Sequence, residues 1–167
     1  MWPDAPAREA LDELALRVAT QRGGRAPRGS NLHVTLAFLG SVATPCIATL
    51  EAIGAACARD CSAFSLTLDA PGGTSQGIAW LAPRLVPPAL AALNASLAAS
   101  LSAEGFPVER RRFRPHVTLA RHCTRPAQRD AVEAIAWHVD RLALVASTPA
   151  PGGSRYQDIA MWPLLAA

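Results

Sequence analysis

Lysine is absent from this chain of 167 residues, so its 16 basic side chains are all arginine. Cysteine is scarce: Cys46, Cys57, Cys61 and Cys123 form no C-x-x-C pair, which excludes a zinc-ribbon or thioredoxin-type motif and gives no disulfide framework. Reduced thiols in a cytoplasm are the reading for such a chain. Charged residues make up only 17% of the sequence, yet no apolar run reaches the length needed to cross a bilayer. A secretory leader is not expected either, because Met1-Trp2-Pro3-Asp4 runs straight into a helical pattern. A soluble cytoplasmic protein with no membrane partner is the expectation, its 167 residues filling one domain from 1 to 167.

What is present is a repeat. His33-Val34-Thr35-Leu36-Ala37 and His116-Val117-Thr118-Leu119-Ala120 are identical five-residue stretches half a chain apart. Apolar, β-branched residues at alternate positions predict a half-buried strand in each copy. Successive side chains on a strand point to opposite faces. His116 and Thr118 therefore share one face, and Val117 and Leu119 turn to a core. In the first copy His33 and Thr35 oppose Leu32, Val34, Leu36 and Phe38. The repeat predicts two similar lobes, roughly 1–83 and 84–167 with strands exchanged between them, each offering a His and a Thr to one cleft.

The arginines are clustered around these copies. Arg110, Arg111, Arg112, Arg114 and Arg121 bracket the second, and Arg22, Arg25 and Arg28 precede the first. Part of this reflects a composition rich in Ala and Pro. Guanidinium is nonetheless the group that grips phosphate through two parallel hydrogen bonds, so a phosphate-bearing partner is expected.

Along the chain, Leu11, Leu14, Ala15 and Val18 recur at helical spacing over 5–20. A Gly/Pro-rich loop covers 21–31, and the first His-Thr strand closes at Gly40. Thr44-Pro45 predicts an N-cap and a first helical residue, with the helix running to Arg59. Strands are predicted over 64–69 and 77–82, joined by a turn at 71–77. Leu90, Leu93, Leu97 and Leu101 line a helix over 87–103, which Gly105-Phe106-Pro107 ends before the second His-Thr strand. Val132, Ile135, Ala136 and Val139 fit a helix over 127–138. Strands over 141–146 and 155–162 follow, separated by a turn at 149–153. The second-half helix is preceded by a strand, whereas no strand precedes the helix at 5–20; the halves differ there, or an N-terminal strand is missing and a sheet edge lies open.

Two imidazoles with unperturbed pKa near 6.5 can hold opposite protonation states at neutral pH. A neutral one takes a proton from water while a protonated one gives a proton to a leaving oxygen, each role worth about 10²–10⁴ in rate. Phosphoryl transfer needs them in line on opposite sides of phosphorus, which a pseudo-two-fold axis provides. The threonine hydroxyls, on the same face, donate to the non-bridging oxygens.

These paired H-x-T-x motifs resemble the 2H phosphoesterase superfamily, in its RNA 2′,3′-cyclic phosphodiesterase branch, also called 2′-5′ RNA ligase-like. The likeness is closest over 31–40 and 112–121, extends to 153–164, and is specific because two motifs stand at half-chain spacing. It implies an α+β fold, bilobal and duplicated, with two antiparallel sheets flanked by helices around a central cleft. It implies hydrolysis of an RNA 2′,3′-cyclic phosphate to a 2′-phosphomonoester with no metal and no cofactor. His33 would be the proton donor to the 3′ oxygen and His116 the acceptor that activates water. Thr35 and Thr118 would hold the phosphate. The expected partners are RNA 3′ ends or small cyclic nucleotides, bound by a monomer. Family members usually open with a short apolar strand, which is missing here.

Other residues are assigned beside these. Arg121 and Arg114 add positive charge, although strict alternation from Thr118 turns Arg121 away from the cleft unless the strand twists, bulges or ends near Ala120. Phe38, Phe113 and Tyr156 are candidates to stack on a terminal base, with core packing the competing role for Phe38. His122 and His138 are read as structural, and Trp80, Trp137 and Trp162 as core or rim. A metal site from His116, His122 and Cys123 matches no familiar zinc spacing. The rival functions are a non-catalytic RNA-end binding module and a ligase that runs the same chemistry backwards to a 2′-5′ bond.

Overall fold

The computed structural model describes residues 1–109, 111–126, 132–151 and 153–166. Helix α1 (Ala5–Arg22) starts where Asp4 Oδ1 accepts the Ala7 amide at 2.9 Å and stops at Gly23, whose φ of 62° is left-handed. Helix α2 (Ile47–Arg59) and helix α3 (Pro88–Ala103) follow, α3 burying Leu90, Leu93, Leu97 and Leu101 along one stripe. Thr44 lies inside a 3₁₀ turn, Thr44–Cys46, and does not cap α2 with its side chain.

The strands are β1 (Phe64–Leu68), β2 (Ala70–Gly73), β3 (Ala79–Ala82), β4 (Val117–Ala120), β5 (Ile135–Val139), β6 (Arg141–Ala150) and β7 (Gly153–Pro163). They pair antiparallel as β1–β5, β2–β3–β4 and β6–β7. With three helices set against these sheets, the architecture is α+β. Both β1 and β3 take partners from the second half of the chain. The main core joins Leu11, Leu14 and Ala15 of α1 to Leu66 and Leu68, Leu81, Val117 and Leu119, and Trp137 and Val139. α2 packs on α3 and on the β6–β7 ribbon, where Gly54 makes room for the Trp162 indole.

Five expectations need correction. The helix predicted over 127–138 lies outside the described residues at 127–131, and Ile135–Val139 is a strand. Ile135, Trp137 and Val139 face inward and Ala136 and His138 outward, so Ile135 and Val139 keep their inward places in a period of two, joined by Trp137 instead of Ala136. The predicted turn at 71–77 begins as edge strand β2, where Pro71 costs no inner ladder bond; likewise Pro149 and Ala150 belong to β6. The strand predicted from His33 to Gly40 is a single bridge, Val34 to Val117. Phe38, expected to face a core, is 80% exposed. Where the halves differed, Met1 exchanges two backbone bonds with Val34, donating from its amino nitrogen at 2.9 Å and accepting from the Val34 amide at 3.1 Å.

Candidate active site

Val117 sits between two neighbours, Leu81 of β3 and Val34. All three are fully buried, so the residues flanking them turn to the opposite face. In an antiparallel bridge the flanking residues pair crosswise. His33 therefore falls opposite Thr118, and Thr35 opposite His116. The repeated stretch thus meets itself across one bridge, and both His-Thr pairs lie on one face of the sheet.

Each imidazole is held in the same way. His33 Nδ1 donates to the Asn31 carbonyl at 2.6 Å, and His116 Nδ1 donates to the Arg114 carbonyl at 2.8 Å. A carbonyl only accepts, so Nδ1 carries a hydrogen and Nε2 is the nitrogen left to exchange protons. In both cases the carbonyl belongs to the residue two before the histidine. His33 Nε2 lies 3.1 Å from Thr35 Oγ1.

The surroundings differ. His33 is half-buried between aromatic rings, edge-on to Trp2 at 5.3 Å and to Tyr156 at 5.0 Å. Trp2 Nε1 donates to Asp158 of β7 at 2.8 Å, and Asn31 Nδ2 donates to the Ser154 carbonyl at 2.8 Å; these bonds fasten the β6–β7 ribbon beside His33. His116 is exposed, with the Trp80 ring tilted against it at 5.7 Å. Burial pushes the His33 imidazolium below its ordinary pKa. The bond to Asn31 acts the other way, and the Met1 amino group, Arg121 and His116 add positive charge that lowers it further.

The face taken by Arg121 follows from the strand pairing. Pairing along β4 steps from Trp80 opposite Thr118 to Ala79 opposite Ala120, which leaves Leu119 without a partner. This bulge resets the alternation: Leu119 and Ala120 are both buried, and Arg121 returns to the face of Thr118. Arg121 is then fixed by two backbone bonds with Arg25, at 2.8 and 3.0 Å. Arg114 and Arg111 are exposed, Arg111 being paired with Glu109 at 2.8 Å. Tyr156 touches His33, whereas Phe38 stands out in solvent and Phe113 packs against the core. Sequence reasoning missed Trp2 and the roles of the Asn31 and Arg114 carbonyls. The shared offset of two residues before each histidine was the available signal. His122, the one described non-glycine residue with positive φ (57°), lines a separate cavity with Gly23, Gly24 and Arg25.

Comparison with known proteins agrees with this architecture. Residues 2–149 match the model of the 2′-5′ RNA ligase superfamily. The chain belongs to that superfamily. It is 32% identical over 151 residues to the RNA 2′,3′-cyclic phosphodiesterase of Escherichia coli K12, covering 84% of this chain and 80% of that protein. A solved phosphoesterase superposes with a TM-score of 0.85 at 30% identity, over 98% of this chain and 95% of its own. E. coli LigT bound to 3′-AMP does so with a TM-score of 0.84 at 30% identity, over 97% and 94%. The resemblance to the 2H phosphoesterases drawn from the two motifs thus stands, as does the α+β fold. Among the described residues no helix is long and apolar enough to cross a membrane.

Proposed function

We propose that this protein hydrolyses 2′,3′-cyclic phosphates at RNA 3′ ends to 2′-phosphomonoesters, with His33 as acid and His116 as base. The observation that carries the reading is the duplicated clamp: two imidazoles on one face, each with Nδ1 tied to a carbonyl and Nε2 left to move protons. The activity named for the E. coli relative and the 3′-AMP bound by LigT support the substrate class.

In this scheme neutral His116 accepts a proton through Nε2 from water, whose oxygen attacks phosphorus. The bond to the 3′ oxygen breaks in line, and His33 gives that oxygen the proton on its Nε2. Thr35 and Thr118 donate to the non-bridging oxygens, and Arg121 balances their charge. Free His33 favours the neutral ring, because burial and nearby cations disfavour a further positive charge. A phosphate anion between the histidines reverses that balance, so substrate itself loads the acid with its proton. Arg114, Phe38 and Tyr156 line the approach of the RNA, and a monomer suffices.

The test is incubation of the protein, in excess EDTA, with a short RNA ending in 2′,3′-cyclic phosphate. A 2′-phosphate product is expected. His33→Ala and His116→Ala should each lower kcat by about 10²–10⁴ and leave binding of the RNA end largely intact. Full turnover in either variant would remove the two-histidine scheme, and binding without any turnover by the unaltered protein would favour the non-catalytic module.

A further inference from the structure

Arg22, the last residue of α1, is only 8% exposed and is the buried charged residue among those described. Its Nε is buried without a hydrogen-bond partner, and among the described residues it belongs to no ion pair. A guanidinium withdrawn from water without an anion is costly. Nothing in the scheme above uses it.

The sheet places Arg22 behind the histidines. Gly72 and Gly73 are consecutive in β2 and so face opposite ways. A Cβ on Gly72 would run into the Trp80 indole, on the face shared with Thr118 and His116. A Cβ on Gly73 would lie 3.0 Å from Arg22 Nη1 and 3.4 Å from Nη2, so the guanidinium sits beneath that residue on the other face. There Arg22 lines a cavity of about 390 Å³ together with Thr74, Ser75, Thr124 and Arg125. Arg125 is anchored by Nη1 donating to the Gln21 carbonyl at 3.1 Å. Thr74 Oγ1 accepts the Ile78 amide at 3.3 Å, leaving its own hydrogen to donate. No acidic side chain is among the described residues that line the cavity.

We propose that this cavity is a second phosphate-binding site, separated from the catalytic cleft by the thickness of the sheet, in which Arg22 and Arg125 hold a phosphate group and the hydroxyls of Thr74 and Ser75 complete its shell. The phosphate belongs to inorganic phosphate or to the backbone of a bound RNA. Both present the same tetrahedral anion, which a guanidinium meets with paired donors.

The experiment is a titration of the full chain with inorganic phosphate, following the backbone amide signals of Thr74, Ser75, Gly77 and Thr124 by NMR alongside that of Thr118. Saturable shifts at the first group are expected. In Arg22→Gln their apparent Kd should rise by roughly tenfold or more while the response of Thr118 stays as in the parent chain. Arg125→Ala, an exposed change that leaves the core intact, should weaken the same shifts severalfold, and it carries the test if Arg22→Gln fails to fold. Absence of saturable shifts at these amides, or shifts unaltered by either substitution, overturns the site. A second arm replaces phosphate with a mononucleotide and then with an RNA of about ten nucleotides. Tighter binding of the longer RNA that is lost in the Arg125→Ala variant assigns the site to the RNA backbone. Equal binding of both, with phosphate still saturating, assigns it to the free anion.

Discussion

The imidazole of His33 carries the most chemical information of any single side chain here, because its environment opposes the charge its proposed role requires. Burial, Arg121 and His116 lower its pKa, so the free enzyme loses the acid form below the ordinary value of about 6.5. Since kcat/KM reports free enzyme and kcat the complex, the falling limb of kcat/KM should lie at lower pH than that of kcat. Coincident limbs in a full pH–rate series would disprove loading by substrate. Arg121→Ala removes one of the lowering charges, so the His33 pKa, followed by NMR of its ring protons, should rise in the free protein even as phosphate binding weakens. A pKa that stays put would take Arg121 out of the cleft. Strict alternation pointed Arg121 the other way, and only the unpaired Leu119 turns it back. A bulge is a property of two strands in register, so one strand's sequence does not display it.

Among the elements, β2 shows how a neighbour can impose a residue. Gly72 is glycine because the Trp80 indole occupies the place of its side chain, and Trp80 in turn leans on His116. Gly72→Ala should destabilise the fold by about 1–3 kcal/mol through overpacking and lower kcat by about tenfold by shifting Trp80. Adding Trp80→Phe should recover much of the stability, which a double-mutant cycle in urea would measure. No recovery would mean the clash is not with the indole. The three helices and strands β1, β3 and β4 were legible from spacing because their apolar residues follow one period. Val132, Ile135, Ala136 and Val139 fit a helix equally well, and pairing of Ile135–Val139 with β1 selected the strand. Residues 71–73 read as a turn because Pro and Gly are turn formers, but an edge position accepts both.

For the molecule as a whole, the pairings β1–β5 and β3–β4 both join the first half to the second. Neither half buries its own sheet without the other. Fragments 1–83 and 84–167 should each be unfolded when made alone and should recover structure and cyclic-phosphate hydrolysis when mixed. The intact chain should unfold in one transition, with far-UV circular dichroism and tryptophan fluorescence coincident. A folded isolated half, or two separated transitions, would show lobes that stand independently. The repeat was plain in the sequence and pointed to an exchange of strands between halves, whereas the identity of the crossing strands was not, because identical motifs do not say which partner each will choose.

The bridge between Val34 and Val117 also makes the proposed catalytic pair a palindrome. Read from either strand, it offers histidine then threonine with the same clamp, so the pair by itself carries no arrow. In the proposed scheme direction comes from the frame: the half-buried rings of Trp2 and Tyr156 at one end, an open flank with Trp80 at the other. Which oxygen leaves and which attacks is therefore written, in that proposed scheme, in residues that never touch a proton.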